Sequence, residues 1–242
     1  MAEPTMKCAQ CGIEFPKRRI LCPNCHEIGI AKLYNYKRFN EYSLSILKDK
    51  TIWFAAAESL NDPFEFGFYC PEMQINGIQI DVDSFEEAMR TMKQMGVLSL
   101  SEINDNILMW SHYSESHTGF CIEFERTDSN DLGNWDLCAP VNYDENLPTF
   151  KPIELADTKT VTQILLTKSD LWVYEKEWRI IAKKGNQTYS LPGNITGIIF
   201  GYKMSSDKRR KIMAILGDTV IYMQATKSLT KFAVDITLVL PS

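Results

Sequence analysis

Four cysteines in two CxxC pairs, Cys8/Cys11 and Cys22/Cys25, constrain this chain more than any other feature. Each pair puts two thiolates on one tight turn. The residues between the pairs, 12 through 21, suffice for a short hairpin that folds one turn onto the other. Zinc takes four such soft ligands in a tetrahedron, and a site with four protein ligands keeps no open position for chemistry. Gly12 follows the first pair, where a knuckle often needs positive φ, and Pro23 stiffens the second. The spacing predicts a zinc ribbon over residues 1–29, with Cys8, Cys11, Cys22 and Cys25 as ligands. His26 is an alternative ligand for one cysteine, and reduced or redox-active thiol turns are the alternative to a metal.

The 242 residues divide economically into that ribbon and one body domain, residues 30–242. A hydrophobic content of 45% supports a substantial core. No window approaches the roughly 20 apolar residues that cross a bilayer, and the start MAEPTMKCAQC has no apolar secretory segment. Seven cysteines is an odd number, and Cys70, Cys121 and Cys138 stand alone. Reduced thiols in a cytoplasmic protein fit this better than a disulfide framework. No membrane partner is expected.

Charge is uneven. Residues 1–40 hold seven Lys/Arg against three acids, net +4, which leaves −9 on the rest of a chain whose net charge is −5. An acidic body argues against non-specific nucleic-acid binding as the main activity. Lys17-Arg18-Arg19, at the expected hairpin tip, reads either as a solvated loop or as a docking element for a nucleic acid or acidic partner.

Periodicity predicts strands at 30–36, 51–55, 97–101, 119–125, 138–143, 177–183, 195–200, and in VIYMQ and FAVDITLVL. It predicts helices at 41–49, with Leu44 and Leu47 on one face, from an Asp83-Ser84 cap to about Met95, at 107–116, at 155–168 and at 205–216. Strands outnumber helices and do not alternate with them regularly. The expected class is α+β, with a mostly antiparallel or mixed sheet and flanking helices. Phosphate-cradling glycine loops are absent from the sequence.

Four segments combine aromatics with charges beyond what periodicity demands: LYNYKRF (33–39), LNDPFEF (60–66), MWSHYSESHTGFCIEF (109–124) and WVYEKEWRII (172–181). Each adjoins a predicted strand end, so they are expected to converge on one cleft. Bland readings stand beside this. Glu175/Glu177 with Arg179 also reads as a cross-strand ion-pair ladder. Asn61-Asp62-Pro63 also reads as a self-capping turn, and Arg38 as a surface residue.

In their order, LYxYxxF, WF…LNDPFE, MWSHYxxxHxGFCIEF, YEKEWR and IIFG resemble the bacterial domain-of-unknown-function family 2971, over about residues 30–240. More distantly, strand LYNY, helix SLSILKD and strand TIWFA are similar to the opening of ADP-ribosyltransferases. That resemblance implies an ADP-ribosyltransferase-like fold, NAD as cosubstrate, and a carboxylate pair at the start of a later strand. Glu175 and Glu177 stand where the pair belongs, and alternation along an extended chain would turn both to one side. It implies further that Tyr34, Tyr36 or Trp53 stacks on nicotinamide and that Arg38 or Lys37 pairs with the pyrophosphate. Asn61 and Asp62 would border the cofactor. The basic first-strand position of the transferases falls nearest Asn35.

Three functions follow as expectations. The first is a toxin or phage-defence type of effector that cleaves NAD and modifies a macromolecule, with Glu177 facing the ribose and Glu175 assisting. The second is a non-catalytic nucleotide- or peptide-binding module. The third is a hydrolase or nuclease centred on His112, Asp62 and Glu65, with His112 as acid/base.

Overall fold

The computed structural model describes residues 3–70, 82–151, 154 and 157–239. The cysteines sit around a hairpin of β1 (Thr5–Lys7) and β2 (Glu14–Pro16), and an antiparallel bridge between Leu21 and Ile28 closes the second turn. Phe15 is buried with Cys8 and Cys22. So small a core holds its shape only with a staple.

The body begins with β3 (Lys32–Lys37), α1 (Glu41–Asp49) and β4 (Thr51–Ala56). Asn40 starts α1 by accepting from the Ser43 amide at 2.9 Å, while Ser43 Oγ accepts from the Asn40 amide at 3.1 Å. Lys50, at φ 54°, turns the chain out of α1 into β4. Leu44 and Leu47 are buried on the expected face. There follow α2 (Val82–Gln94), β5 (Gly96–Ser101), α3 (Ile107–Tyr113), β6 (Phe120–Glu125), β7 (Cys138–Pro140) and β8 (Asn142–Asp144). The chain then forms α4 (Thr158–Leu165), β9 (Thr167–Ser169), a 3-10 turn (Asp170–Glu175), β10 (Glu177–Ala182) and β11 (Gln187–Ser190). It closes with β12 (Ile195–Phe200), α5 (Ser206–Leu216), β13 (Ile221–Lys227) and β14 (Val234–Leu238).

Ten strands form one mixed sheet in the order β11-β4-β5-β3-β6-β12-β13-β14, with β10 on β5 and β7 on β10. Among the described residues only β12 and β13 run parallel within it, across α5. The α+β class expected from the pattern is the one observed.

This sheet is split. β3 pairs with β6 from Lys32 through Lys37, but it meets β5 at Tyr34↔Ser101 alone. On the same edge β5 meets β4 only at Val97 and Gly96. Leu98–Leu100 therefore face a gap, and Asn35 Nδ2 reaches across it to donate to Ser99 O at 2.8 Å. One face of the sheet carries the main core, Leu33, Leu98, Leu100, Phe124, Trp178 and Ile198 among others, together with Leu44 and Leu47 of α1 and Ile212 of α5. On the other face Tyr36 packs against Trp110 of α3.

Several sequence expectations change in detail. The strand predicted at 138–143 is two strands, since Cys138–Pro140 pairs with β10 and Asn142–Asp144 runs parallel to β9. The helix at 155–168 is confined to Thr158–Leu165, because Asp157 caps it by accepting from the Lys159 amide. β11 carried no apolar alternation and was not expected. The side chains of Asp83 and Ser84 lie outside the described residues.

The ribbon tip is not a free loop. Lys17 pairs with Glu102, and Arg18 pairs with Glu3. Arg126, buried and stacked over Trp178, donates to the carbonyls of Arg18, Ile30 and Leu132. A guanidinium that donates to backbone carbonyls from three segments ties the ribbon to the body.

Candidate functional site

The mouth of the split opens into a cavity of about 220 Å³, lined by Tyr34, Asn35, Tyr36, Trp53, Glu175 and Glu177 among others. All four aromatic-charged segments contribute to it. A neighbouring groove of about 600 Å³, lined by Arg38, Asn40 and Ser43, shares Tyr36, Lys37, Trp53 and Tyr113 with it. These shared side chains set the two side by side at the end of β3, as parts of one candidate cleft.

One wall is a buried ion cluster. Lys168 Nζ donates to Glu175 Oε2 at 2.7 Å and to Glu177 Oε2 at 3.0 Å, and it lies 3.4 Å from Glu65 Oε1. Arg179 donates to Glu177 Oε1 at 2.8 Å, to Glu65 Oε1 at 2.7 Å and to Leu165 O at 2.8 Å. Three carboxylates face two cations, so the cluster carries a formal −1 against the cavity. Tyr113 donates to Glu175 Oε1 at 2.5 Å, and Asn61 Nδ2 donates to the Tyr113 hydroxyl. The Tyr143 hydroxyl accepts the Glu177 amide.

Electrostatics separate the two glutamates. Burial alone would raise Glu177, but the Arg179 guanidinium and the Lys168 ammonium outweigh it and hold the carboxyl at about 2. Burial dominates at Glu175 and raises it, against the pull of Lys168 and Tyr113. Burial also draws the Lys37 ammonium down to about 8. The wall therefore holds one carboxylate that stays ionised near neutral pH beside one that protonates more readily.

The glutamates do not meet by the expected route. Glu175 ends the 3-10 turn, and Lys176 is left-handed at φ 44°, so 175–177 is not an extended stretch. Lys168 nonetheless gathers both carboxylates on its ammonium. Arg179 does bind Glu177, but two residues away on the same strand, and Glu175 lies off that strand, so the group is not the cross-strand ladder.

Other predicted residues fall elsewhere. Arg38 is exposed and borders the neighbouring groove, not the cavity beside Glu177. Asp62 is buried, accepts from the Phe64 amide at 2.9 Å and lines neither cavity, which is the turn-capping role. His112 is exposed on α3 and lines neither cavity, with its ring set edge-on to Tyr113. His112, Asp62 and Glu65 thus form no common centre. His117 serves the turn after α3, bonded to Ser111 Oγ at 3.1 Å and stacked on Trp110. Gly119 completes that turn, since a Cβ there would lie 2.1 Å from Lys37 O.

Sequence reasoning missed Lys168 and Tyr113 as cleft residues, and Tyr143 as the partner of the Glu177 amide. Tyr113 lay inside a segment already singled out. Lys168 sits in Thr-Lys-Ser, a context that any surface strand shares.

The four cysteines lie together, with all sulfurs within 4.8 Å of one another. Cys8–Cys25 is 3.5 Å and Cys11–Cys22 is 3.6 Å, sulfur to sulfur. A tetrahedron with Zn–S near 2.3 Å has edges of about 3.8 Å. The donor set and its spacing fit a closed four-thiolate metal site, consistent with a zinc ribbon. His26 is not part of the cluster.

A family model described as "Protein of unknown function (DUF2971)" matches residues 109–180. That span carries most of α3, β6, Lys168, Glu175, Glu177 and Arg179, and it is shorter than the region over which the motifs resemble the family. Comparison with curated proteins and with solved structures gave no match. Among the described residues no helix is long and apolar enough to cross a membrane.

Proposed function

We propose that the cleft cleaves NAD and transfers ADP-ribose to a macromolecule, and that the four cysteines hold zinc in a purely structural site. The observation that carries the first reading is the convergence of Glu175 and Glu177 on the wall of a cavity lined by Tyr34, Tyr36 and Trp53. The ring and the scissile bond would enter the cavity. The remainder of the dinucleotide would follow the neighbouring groove past Lys37 and Arg38, whose charges suit a pyrophosphate.

In this reading the C1′–N bond breaks and its electron pair passes to the nicotinamide nitrogen, which leaves neutral. The ribosyl cation left behind resembles that of glycoside cleavage. Glu177, ionised at any physiological pH, stabilises it through the adjacent hydroxyl. An acceptor lone pair then closes on C1′, and its proton goes to Glu175, whose raised affinity for protons suits a base. Zinc when bound supplies rigidity to the ribbon and no open coordination position.

The test is nicotinamide release from NAD by the purified protein with cell extract as acceptor, beside Glu177→Gln and the milder Glu175→Gln. The expected result is release by the wild type, at least about a hundredfold less with Glu177→Gln, and an intermediate loss with Glu175→Gln. Melting curves separate a chemical loss from unfolding. Full turnover by a folded Glu177→Gln protein sinks the reading.

A further inference from the structure

The ion cluster and the strand edges leave two acceptors over. Among the described residues three buried side-chain polar atoms lack a hydrogen-bond partner: Asn35 Oδ1, Glu65 Oε2 and Gln224 Oε1. Gln224 lines neither part of the cleft. Asn35 and Glu65 both line the 220 Å³ cavity, one from β3 and one from the LNDPFEF segment. Asn35 is 7% exposed and the Glu65 side chain 3%, so bulk water does not serve them. A buried acceptor without a donor is costly, and two on one small cavity mark where a ligand's donors belong.

The rest of the lining narrows the ligand. Tyr34, Tyr36, Trp53, Leu98, Leu100 and Met109 give the cavity a largely aromatic and aliphatic surface. Its volume is below the roughly 300 Å³ at which sites for drug-sized ligands begin, which suits a single ring and its substituent. The bare oxygen on Glu65 belongs to a cluster of formal charge −1, so a carboxylate substituent would meet like charge as well as an acceptor.

We infer that Asn35 and Glu65 select an aromatic ring carrying a primary carboxamide, whose N–H donors are shared between Asn35 Oδ1 and Glu65 Oε2. The inference rests on reading this cleft as a ring-binding site and adds what reads the ring's substituent. A site built on acceptors rejects an analogue that offers only acceptors, because its buried groups are then left unpaired. On this account Asn35 is a specificity residue.

The experiment is ligand-observed NMR on the full chain with nicotinamide and benzamide against nicotinate and benzoate, all at millimolar concentration. The amides bind, and each acid binds at least about tenfold more weakly. Asn35→Leu, close to the same shape, and Glu65→Gln each cut the amide-over-acid preference about tenfold. Acids binding as well as amides, or no binding by either, overturns the inference without needing any variant to fold. Selective amide binding with no NAD turnover upholds it and overturns the transferase reading. NAD turnover with no amide preference does the reverse.

Discussion

The four-cysteine cluster and the Lys168 ion cluster are both tight knots of ionisable groups, but they are built in opposite ways. The cysteines come from 18 consecutive positions, Cys8 to Cys25, on two turns that carry their own spacing. The ion cluster draws Glu65, Lys168, Glu175, Glu177 and Arg179 from a loop, two strands and a 3-10 turn, and it exists only once β5, β9 and β10 are in place. The first is local and closed, with all four sulfurs within 4.8 Å of one another. The second is long-range and faces a cavity with an acceptor to spare on Glu65. Closure suits a structural role, and an open side suits chemistry.

The largest effect that sharpens this contrast is metal removal. Structural zinc in small ribbon-type units contributes roughly 10 kcal/mol or more to their folding. Cys22→Ala, or a strong chelator, is expected to release the metal and abolish hydrogen-exchange protection in β1 and β2. β6 and β12 are expected to keep theirs, because they are paired on both sides within the sheet. If their protection fell equally, the ribbon would be a folding element of the body, coupled through the carbonyls that Arg126 gathers.

The ion cluster is next. Lys168→Met strips the ammonium from three buried carboxylates and is expected to cost about 3–5 kcal/mol, read as a fall in denaturation midpoint. Acid should act on the same cluster in the wild type. Glu177 is held at about 2 against an ordinary 4.5, so the unfolded chain takes up its proton first. Its contribution, about 3 kcal/mol at most, is complete above the ordinary value and is lost as pH falls toward 2. Glu175, raised by burial, works with the opposite sign and gains stability as it protonates. Melts from pH 6 to pH 3 should therefore show a shallower acid limb in Lys168→Met than in the wild type. Parallel limbs would mean that the ammonium does not hold Glu177 down.

What was legible in the sequence follows the same division. The ribbon was readable because ligand spacing is local. α1 was readable to the residue, because Leu44, Leu47 and the start of β4 each follow a rule that acts within one turn, and the Asn40 cap, which was not read, obeys the same kind of local rule. The split between β3 and β5 was not readable, since it depends on which strands fail to pair. Nor was Lys168, whose partners lie up to 103 positions away at Glu65. The aromatic-charged segments pointed to the right neighbourhood, because charges beside buried aromatics at strand ends need partners from elsewhere. They could not say which members would reach the cleft, and His112 and Asp62 did not.

His112 gives the smallest expected effect and the cleanest test of that last point. It stands in the most conspicuous segment of the chain, MWSHYSESHTGF, yet it is exposed, with its ring set edge-on to Tyr113. The segment has other structural work. Trp110 is fully buried against Tyr36, Ser114 is buried, Glu115 to His117 all carry positive φ, and Gly119 passes close to the Lys37 carbonyl. This turn delivers β6 beside β3, and His112 takes no part in it. His112→Ala is therefore expected to change stability by less than about 0.5 kcal/mol and to leave nicotinamide release within about twofold of wild type. A loss of activity in a fully folded His112→Ala protein would return weight to a hydrolase, and would require α3 to move so that the imidazole enters a cleft from which it is now excluded.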